Sequence, residues 1–194
     1  VGSLQIRNAA TLIGNVISAQ PAADAAMAVA PLDPRFVILD SAGGERVANM
    51  TDMYVGFGKS AVDPSHELVS QVSVPLPGPH EATSYVRLEL RKALSLPMLN
   101  VAAMAHIEDG RFSWARITMG PVGVGPVRAA VAEQWLAGKE CSADNLAQAG
   151  KLALENAKPR SNPLRGSKEY RVQTLPVLVK RALGDICRQL DVNI

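Results

Sequence analysis

Residues 75–79 read Pro75-Leu76-Pro77-Gly78-Pro79, three prolines and a glycine in five positions. Proline has no backbone N–H and holds φ near −65°, so neither a helix nor a central strand runs through such a stretch. The chain of 194 residues is thereby cut into two units, 1–79 and 80–194. Each is small for an independent core, so the two are expected to lean on each other or on a partner.

The first unit is read as a small sheet with one helix. Ala22 to Ala30 is Ala-rich and stops before Pro31 and Pro34, with Pro21 suited to a first helical position. Arg35-Phe36-Val37-Ile38-Leu39 reads as a strand, Asp40 to Gly44 as a turn, and Glu45-Arg46-Val47 as the return strand. Residues 48–64 read as loop, and Glu67 to Pro75 as a further strand.

In the second unit, Tyr85 to Leu90, Met98 to Glu108 and Arg111 to Met119 read as strands. Asp109-Gly110 between the last two is the strongest short-range signal for an antiparallel hairpin. Gly120 to Gly125 is a glycine-rich loop with the spacing G-x-x-G-x-G, which does not fit the dinucleotide fingerprint and reads as a strand-to-helix connection. Three helices follow. The first is opened by Pro126 and ended by Gly138. The second is capped by Ser142 and runs from Ala143 to Ala157. The third is capped by Ser167 and runs to about Leu190, with Val172, Leu175, Val179, Leu183 and Ile186 on one face. Pro176 is expected to kink or restart the third. The fold class is α+β, with a three-stranded antiparallel sheet backed by three helices in residues 80–194.

Composition closes several functional classes. A net charge of +2 gives no electrostatic case for nucleic acid or a membrane surface. No apolar run approaches the ~20 residues of a membrane span. His66, His80 and His106 sit in unrelated contexts, so no metal site is expected. Cys141 and Cys187 leave a disulfide open, but two reduced thiols in a cytoplasmic protein is the plainer reading. Two cysteines cannot hold an iron–sulfur cluster that wants four. There is no Gly-x-Ser-x-Gly and no paired-carboxylate arrangement, so a stand-alone hydrolase has no support.

The stretch with the most chemical content is Gln5-Ile6-Arg7-Asn8-Ala9-Ala10-Thr11-Leu12-Ile13-Gly14-Asn15, followed by Gln20-Pro21-Ala22-Ala23-Asp24. A Gly14-Asn15 turn feeding a helix N-terminus would aim backbone N–H groups at an anion, with Gly14 free to take φ > 0. The same residues also suit an ordinary turn: Thr11 and Asn15 can bond the local backbone, and Asp24 in a first helical turn is favoured by the helix dipole alone.

This segment resembles the "QIRN-x-AT-x-GGN" and "SPAAD" motifs of the FAD-binding subunits of molybdenum hydroxylases, the xanthine dehydrogenase and carbon monoxide dehydrogenase medium-subunit family. Four further segments resemble that family in the same order: "MYVGFGKSAVDPSHELVSQVSVP", "YVRLELRKALSLPMLNVA", "ARITMGPVGVGPVRA" and "PLRGSKEYRVQTLPVLVKRAL". The resemblance implies that residues 1–79 are the C-terminal part of a PCMH-type FAD-binding domain. Residues 80–194 would be a CO dehydrogenase flavoprotein C-terminal-like domain. It implies FAD as cofactor, held by Thr11, Leu12, Ile13, Gly14, Asn15 and Asp24, with Val69 and Arg87 at positions that touch the flavin. It also implies two partner chains, an iron–sulfur subunit and a molybdopterin-binding subunit. The subunit would then pass electrons from iron–sulfur clusters to NAD⁺, oxygen or a quinone.

Departures from the motifs carry expectations too. Ile13 replaces the first glycine of GGN and would be strained at φ > 0. Gln20 replaces the Ser or Asp of the helix cap, Arg91-Lys92 stands for an Arg pair, and Pro97 interrupts the following strand. The chain opens on Val1 with no counterpart of the family's Gly-rich N-terminal loop, so weak flavin binding by this chain alone is expected. The alternative reading is a non-catalytic docking module that has lost the flavin.

Overall fold

A computed structural model describes residues 2–91 and 94–194. Lys92, the second member of the expected Arg91-Lys92 pair, lies outside the described residues.

The chain opens with three six-residue helices, α1 (Leu4–Ala9), α2 (Leu12–Ile17) and α3 (Asp24–Val29), the last running into a 3₁₀ turn at Ala30–Leu32. Two of the sequence expectations change here. Gly14 and Asn15 do not form a turn: they lie inside α2, whose N-cap is Thr11, with Thr11 Oγ1 accepting from the Gly14 N–H at 2.9 Å. Ile13 is therefore helical and unstrained, since its backbone never visits the left-handed region. A Cβ on Gly14 would sit 2.9 Å from Thr11 Oγ1, so this glycine makes room for the cap rather than for an unusual φ. Pro21 lies before α3 instead of opening it, because the chain needs residues 20–23 to turn back from α2.

Strands β1 (Arg35–Asp40), β2 (Glu45–Asn49) and, further on, β5 (Glu67–Ser73) form an antiparallel sheet in the order β2-β1-β5. Between them, the segment expected as plain loop carries structure of its own. A 3₁₀ turn at Met50–Met53 is closed by reciprocal bonds between Asn49 and Asp52, and a small hairpin joins β3 (Tyr54–Gly56) and β4 (Lys59–Ser60). Arg46 clamps Glu67 across this sheet at 2.8 and 3.0 Å and holds its carboxyl down at about 2. The smaller core lies under this sheet, with Phe36, Ile38 and Met53 buried beside Val16 and Ala26 of the helices.

The second sheet runs β6-β7-β8-β9, all antiparallel: β6 (Glu81–Leu88), β7 (Leu99–Glu108), β8 (Arg111–Gly120) and the two-residue β9 (Val127–Arg128). The three expected strands are present, β6 starting at Glu81 rather than Tyr85 and ending at Leu88, and β9 adds a fourth to the expected three-stranded sheet. The Asp109-Gly110 turn joins β7 to β8 with both residues at positive φ (49° and 71°), the two-residue geometry that fits strand twist. Pro126 leads into β9 rather than a helix, and α4 (Ala130–Leu136) begins only after it. α5 (Ala143–Leu152) follows Ser142, ending in a 3₁₀ turn at Ala153–Glu155, and α6 (Lys168–Gln189) follows Ser167. α6 continues through Pro176 without a restart. Its carbonyl side is packed at that turn by α5, where a Cβ on Gly150 would lie 2.5 Å from the Pro176 carbonyl oxygen.

β7 explains how the two units are joined. Alternate side chains of a strand face opposite ways. Leu99, Val101, Ala103, Ala105 and Ile107 enter the larger core against α4, α5 and α6. Asn100, Ala102 and Met104 are equally buried but stand outside that core, on the side where α3 and the Ala30–Leu32 turn pack. Both faces of β7 are covered, one by each unit. Cys141 and Cys187 are free, buried in the larger core and in mutual contact, with burial pushing the Cys141 thiol up to about 12.

Gly150→Ala is expected to destabilise the protein by about 1–3 kcal/mol, because overpacking against a backbone carbonyl outweighs the ~1 kcal/mol gain in helix propensity. Gly110→Val is expected to cost a similar ~1–3 kcal/mol through strain at positive φ. Urea midpoints at constant slope check both; a midpoint unchanged or raised contradicts the packing described.

Candidate functional site

α3 is a six-residue helix whose own N-cap residue, Ala23, has no side-chain bond to give. The cap comes from another helix. Asn15 Oδ1 accepts from the N–H groups of Ala25 and Ala26, each at 3.1 Å. A side-chain oxygen at a helix start satisfies donors that would otherwise be orphaned. The Asn15 of the motif thus has a local structural role, which is to lock α2 to α3.

Asp24, the first residue of α3, reaches across the seam. The Tyr85 hydroxyl donates to Asp24 Oδ1 at 2.7 Å, and Arg87 Nε donates to the same oxygen at 3.1 Å. Asn100 Nδ2 in turn donates to the Tyr85 oxygen at 3.1 Å. Arg87 is held further by Glu89 and by the Ser95 carbonyl. The Asp24 and Arg87 side chains are 13% and 20% exposed, so the pair is mostly shielded from water. Burial first, and then the Asp24 carboxylate, push the Tyr85 phenol well above its ordinary range, so it stays a proton donor. Asn100 is fully buried, and its Oδ1 has no partner among the described residues.

Next to this network lies a cleft of about 760 Å³. Asn15 and Asp24 line it from the first unit, and Leu94, Leu96 and Arg171 from the second. Phe57 and Ile6, both more than half exposed, add apolar wall. A volume of this size with apolar walls and a few polar groups is typical of small-molecule sites, ~300–1,000 Å³.

Of the eight residues expected to touch a cofactor, the structure brings three together: Asn15 and Asp24 on the cleft, and Arg87 bonded to Asp24. Thr11, Leu12, Ile13 and Gly14 form the cap and first turn of α2, and none of the four is among the cleft's lining residues. Val69 sits on β5, paired with Ile38 and packed against the smaller core, away from the cleft. Sequence reasoning missed Tyr85, Asn100 and Arg171. The signal for Arg171 was present: it stands four residues before Leu175 and eight before Val179, on the buried stripe of α6. Among the described residues no cluster of His, Cys, Asp and Glu could hold a metal ion, and no helix is long and apolar enough to cross a membrane.

Two cores sharing one cleft of small-molecule size define an α+β protein of two joined units. Its relatives sharpen that class. Residues 84–186 match the model of the CO dehydrogenase flavoprotein C-terminal domain, and residues 1–77 match that of the FAD binding domain in molybdopterin dehydrogenase. The chain belongs to the FAD-binding subunits of the molybdenum hydroxylase family. It is 27% identical over 181 residues to the putative xanthine dehydrogenase FAD-binding subunit of Escherichia coli K12, covering 93% of this chain and 61% of that protein. The nicotinate dehydrogenase FAD-subunit of Eubacterium barkeri is 28% identical over 195 residues, with 98% of this chain and 65% of that one covered. Among solved structures, quinoline 2-oxidoreductase from Pseudomonas putida 86 superposes with a TM-score of 0.88 at 27% identity, over 98% of this chain and 65% of that chain. The chain thus spans rather less than two thirds of the length of these relatives.

Asn15→Ala is expected to lower stability by about 1 kcal/mol, as loss of a helix cap does, while Asn15→Asp keeps the acceptor and most of the stability. Thermal melts of the two variants check this; equal melting of Asn15→Ala and the parent would show that α3 does not need the borrowed cap.

Proposed function

We propose that this chain is the flavin-holding part of an oxidoreductase subunit, with FAD in the cleft between its two cores. Residues 1–79 would be the C-terminal part of the FAD-binding domain and 80–194 the flavoprotein C-terminal domain. The observation that carries the reading is the convergence of Asn15, Asp24 and Arg87 beside a cleft of about 760 Å³. The donor set fits a flavin nucleotide. Asn15 has an amide nitrogen not used by the cap, Asp24 makes its described bonds through Oδ1 alone, and Leu94, Leu96, Phe57 and Ile6 offer apolar surface to a ring system. Thr11 accepts the Gly14 N–H at the start of α2 and keeps its own hydroxyl proton to donate, so both stay candidates for the ligand's edge.

A bound flavin would supply the two-electron redox chemistry, and the protein its placement and electrostatics. Asp24, fixed by Tyr85 and Arg87, would orient a donor group of the ligand without changing its own place. The Tyr85 hydroxyl keeps its proton and, by donating a hydrogen bond to Asp24 Oδ1, keeps that carboxylate aimed. The apolar wall would exclude water from the ring. Electrons would arrive from an iron–sulfur partner and leave to an external acceptor. The hydroxylated substrate would be handled on a molybdopterin-binding partner. The flavin face near Asp24 and Arg87 would point toward the iron–sulfur chain.

FAD titrated into the 194-residue chain and followed by fluorescence quenching is expected to give saturable, weak binding that desalting removes. Asp24→Asn is expected to raise Kd by roughly 5- to 150-fold, the ~1–3 kcal/mol of a lost polar contact to a ligand, with the melting temperature as a check on folding. Absence of saturation would favour the docking module over the flavin subunit.

A further inference from the structure

The cleft has a second set of polar residues that the flavin reading does not use. Arg160, Arg165 and Arg171 all line it. Arg171 is the unusual one: it is 5% exposed, on the apolar stripe of α6, and belongs to the packed interior. Its terminal nitrogens donate to two backbone carbonyls, Nη1 to Arg160 and Nη2 to Pro121. Its Nε is buried and has no partner among the described residues. None of the three arginines forms an ion pair with a carboxylate among those residues. The charges that act on Arg171 are those of Arg165 and Arg160, which with burial depress its affinity for its own proton.

Burying a cation beside two like charges with no anion is unfavourable unless something compensates. Two carbonyl dipoles fix the guanidinium in place but carry no net charge. Asp24 lines the same cleft, but its described bonds tie it to Tyr85 and Arg87. Asn162 Oδ1 accepts from Leu164 and Ser161 Oγ from Lys168, so the turn that carries Arg165 is held by its own side chains. Three arginines thus line one open volume, with the Arg171 guanidinium fixed by its two carbonyl bonds. Guanidinium forks match phosphate oxygens in geometry and charge.

We propose that Arg160, Arg165 and Arg171 form an oxyanion subsite of the cleft that takes a phosphate or diphosphate group. A multiply charged oxyanion matches three positive charges better than a single carboxylate does. The subsite stands independently of the flavin reading: its ligand is either the diphosphate of a nucleotide already in the cleft or the phosphate of a second molecule.

The probe is sodium pyrophosphate, titrated calorimetrically into the 194-residue chain at low and at raised sodium chloride. Saturable binding that weakens with salt is expected. Arg160→Gln and Arg165→Gln are each expected to weaken it tenfold or more, while Arg181→Gln, exposed on α6 away from the cleft, leaves it unchanged. Arg171 is left intact because it is part of the core. No binding at millimolar pyrophosphate, or equal loss in Arg181→Gln, would overturn the proposal. FAD added to the pyrophosphate-saturated chain separates the two sources. Competition assigns the subsite to the diphosphate of the flavin nucleotide, and simultaneous binding assigns it to a second phosphate ligand. Pyrophosphate binding without any FAD binding would uphold the subsite and refute the flavin reading.

Discussion

A helix of six residues cannot stand alone in water, because nucleation fixes several residues before the first hydrogen bond repays it. α3 is such a helix, and much of the molecule hangs on how it is held. Its first N–H groups are satisfied by Asn15 from α2, and its first side chain, Asp24, is tied to Tyr85 and Arg87 on β6. Its buried residues Ala26 and Met27 close the interior side. Remove the anchorage and the second face of β7 loses its cover, the seam opens and the cleft has only one wall.

The two cores are unequal. The larger, with α4, α5 and α6 on one face of the sheet, gathers many more buried apolar side chains. Ala102, Ala103, Ala105 and Ala115 keep its central strands thin, which lets layers approach from both sides. The smaller core under β2-β1-β5 is finished by the short helices, not by the sheet alone. The smaller unit is seated on β7 by the packing of α3, with Met27 fully buried, and is tied further by the shielded Asp24–Arg87 pair and the Tyr85 bond.

Legibility in the sequence follows the range of the interactions. Asp109-Gly110 dictates its hairpin through backbone conformation at two residues, and Ser142 and Ser167 mark helix starts by bonds three residues long. Those features are readable. Gly14-Asn15 suits a turn when taken alone, but Thr11 three residues earlier wins the Gly14 N–H for a helix, and the oxygen of Asn15 is claimed by residues ten and eleven positions away. Pro126 suits a helix start, yet pairing of Val127 with Met119 takes the chain into the sheet first. At the site, Asp24 and Arg87 can be picked out singly. Their mutual bond, across sixty-three residues, cannot, and neither can the role of Tyr85 between them.

The glycines after β8 have a meaning beyond turning the chain. A Cβ on Gly120 would sit 2.7 Å from both Met27 Sδ and Asn100 Oδ1, and one on Gly125 would sit 2.5 Å from the Tyr54 ring. These positions are where the second unit accepts side chains of the first as if into sockets. Since the walls of the cleft belong to different units, its width depends on how these sockets, interleaved with the lining residues Pro121 and Gly123, seat Met27 and Tyr54. A side chain added at either glycine would wedge the two units apart and change the space between them from beside its rim.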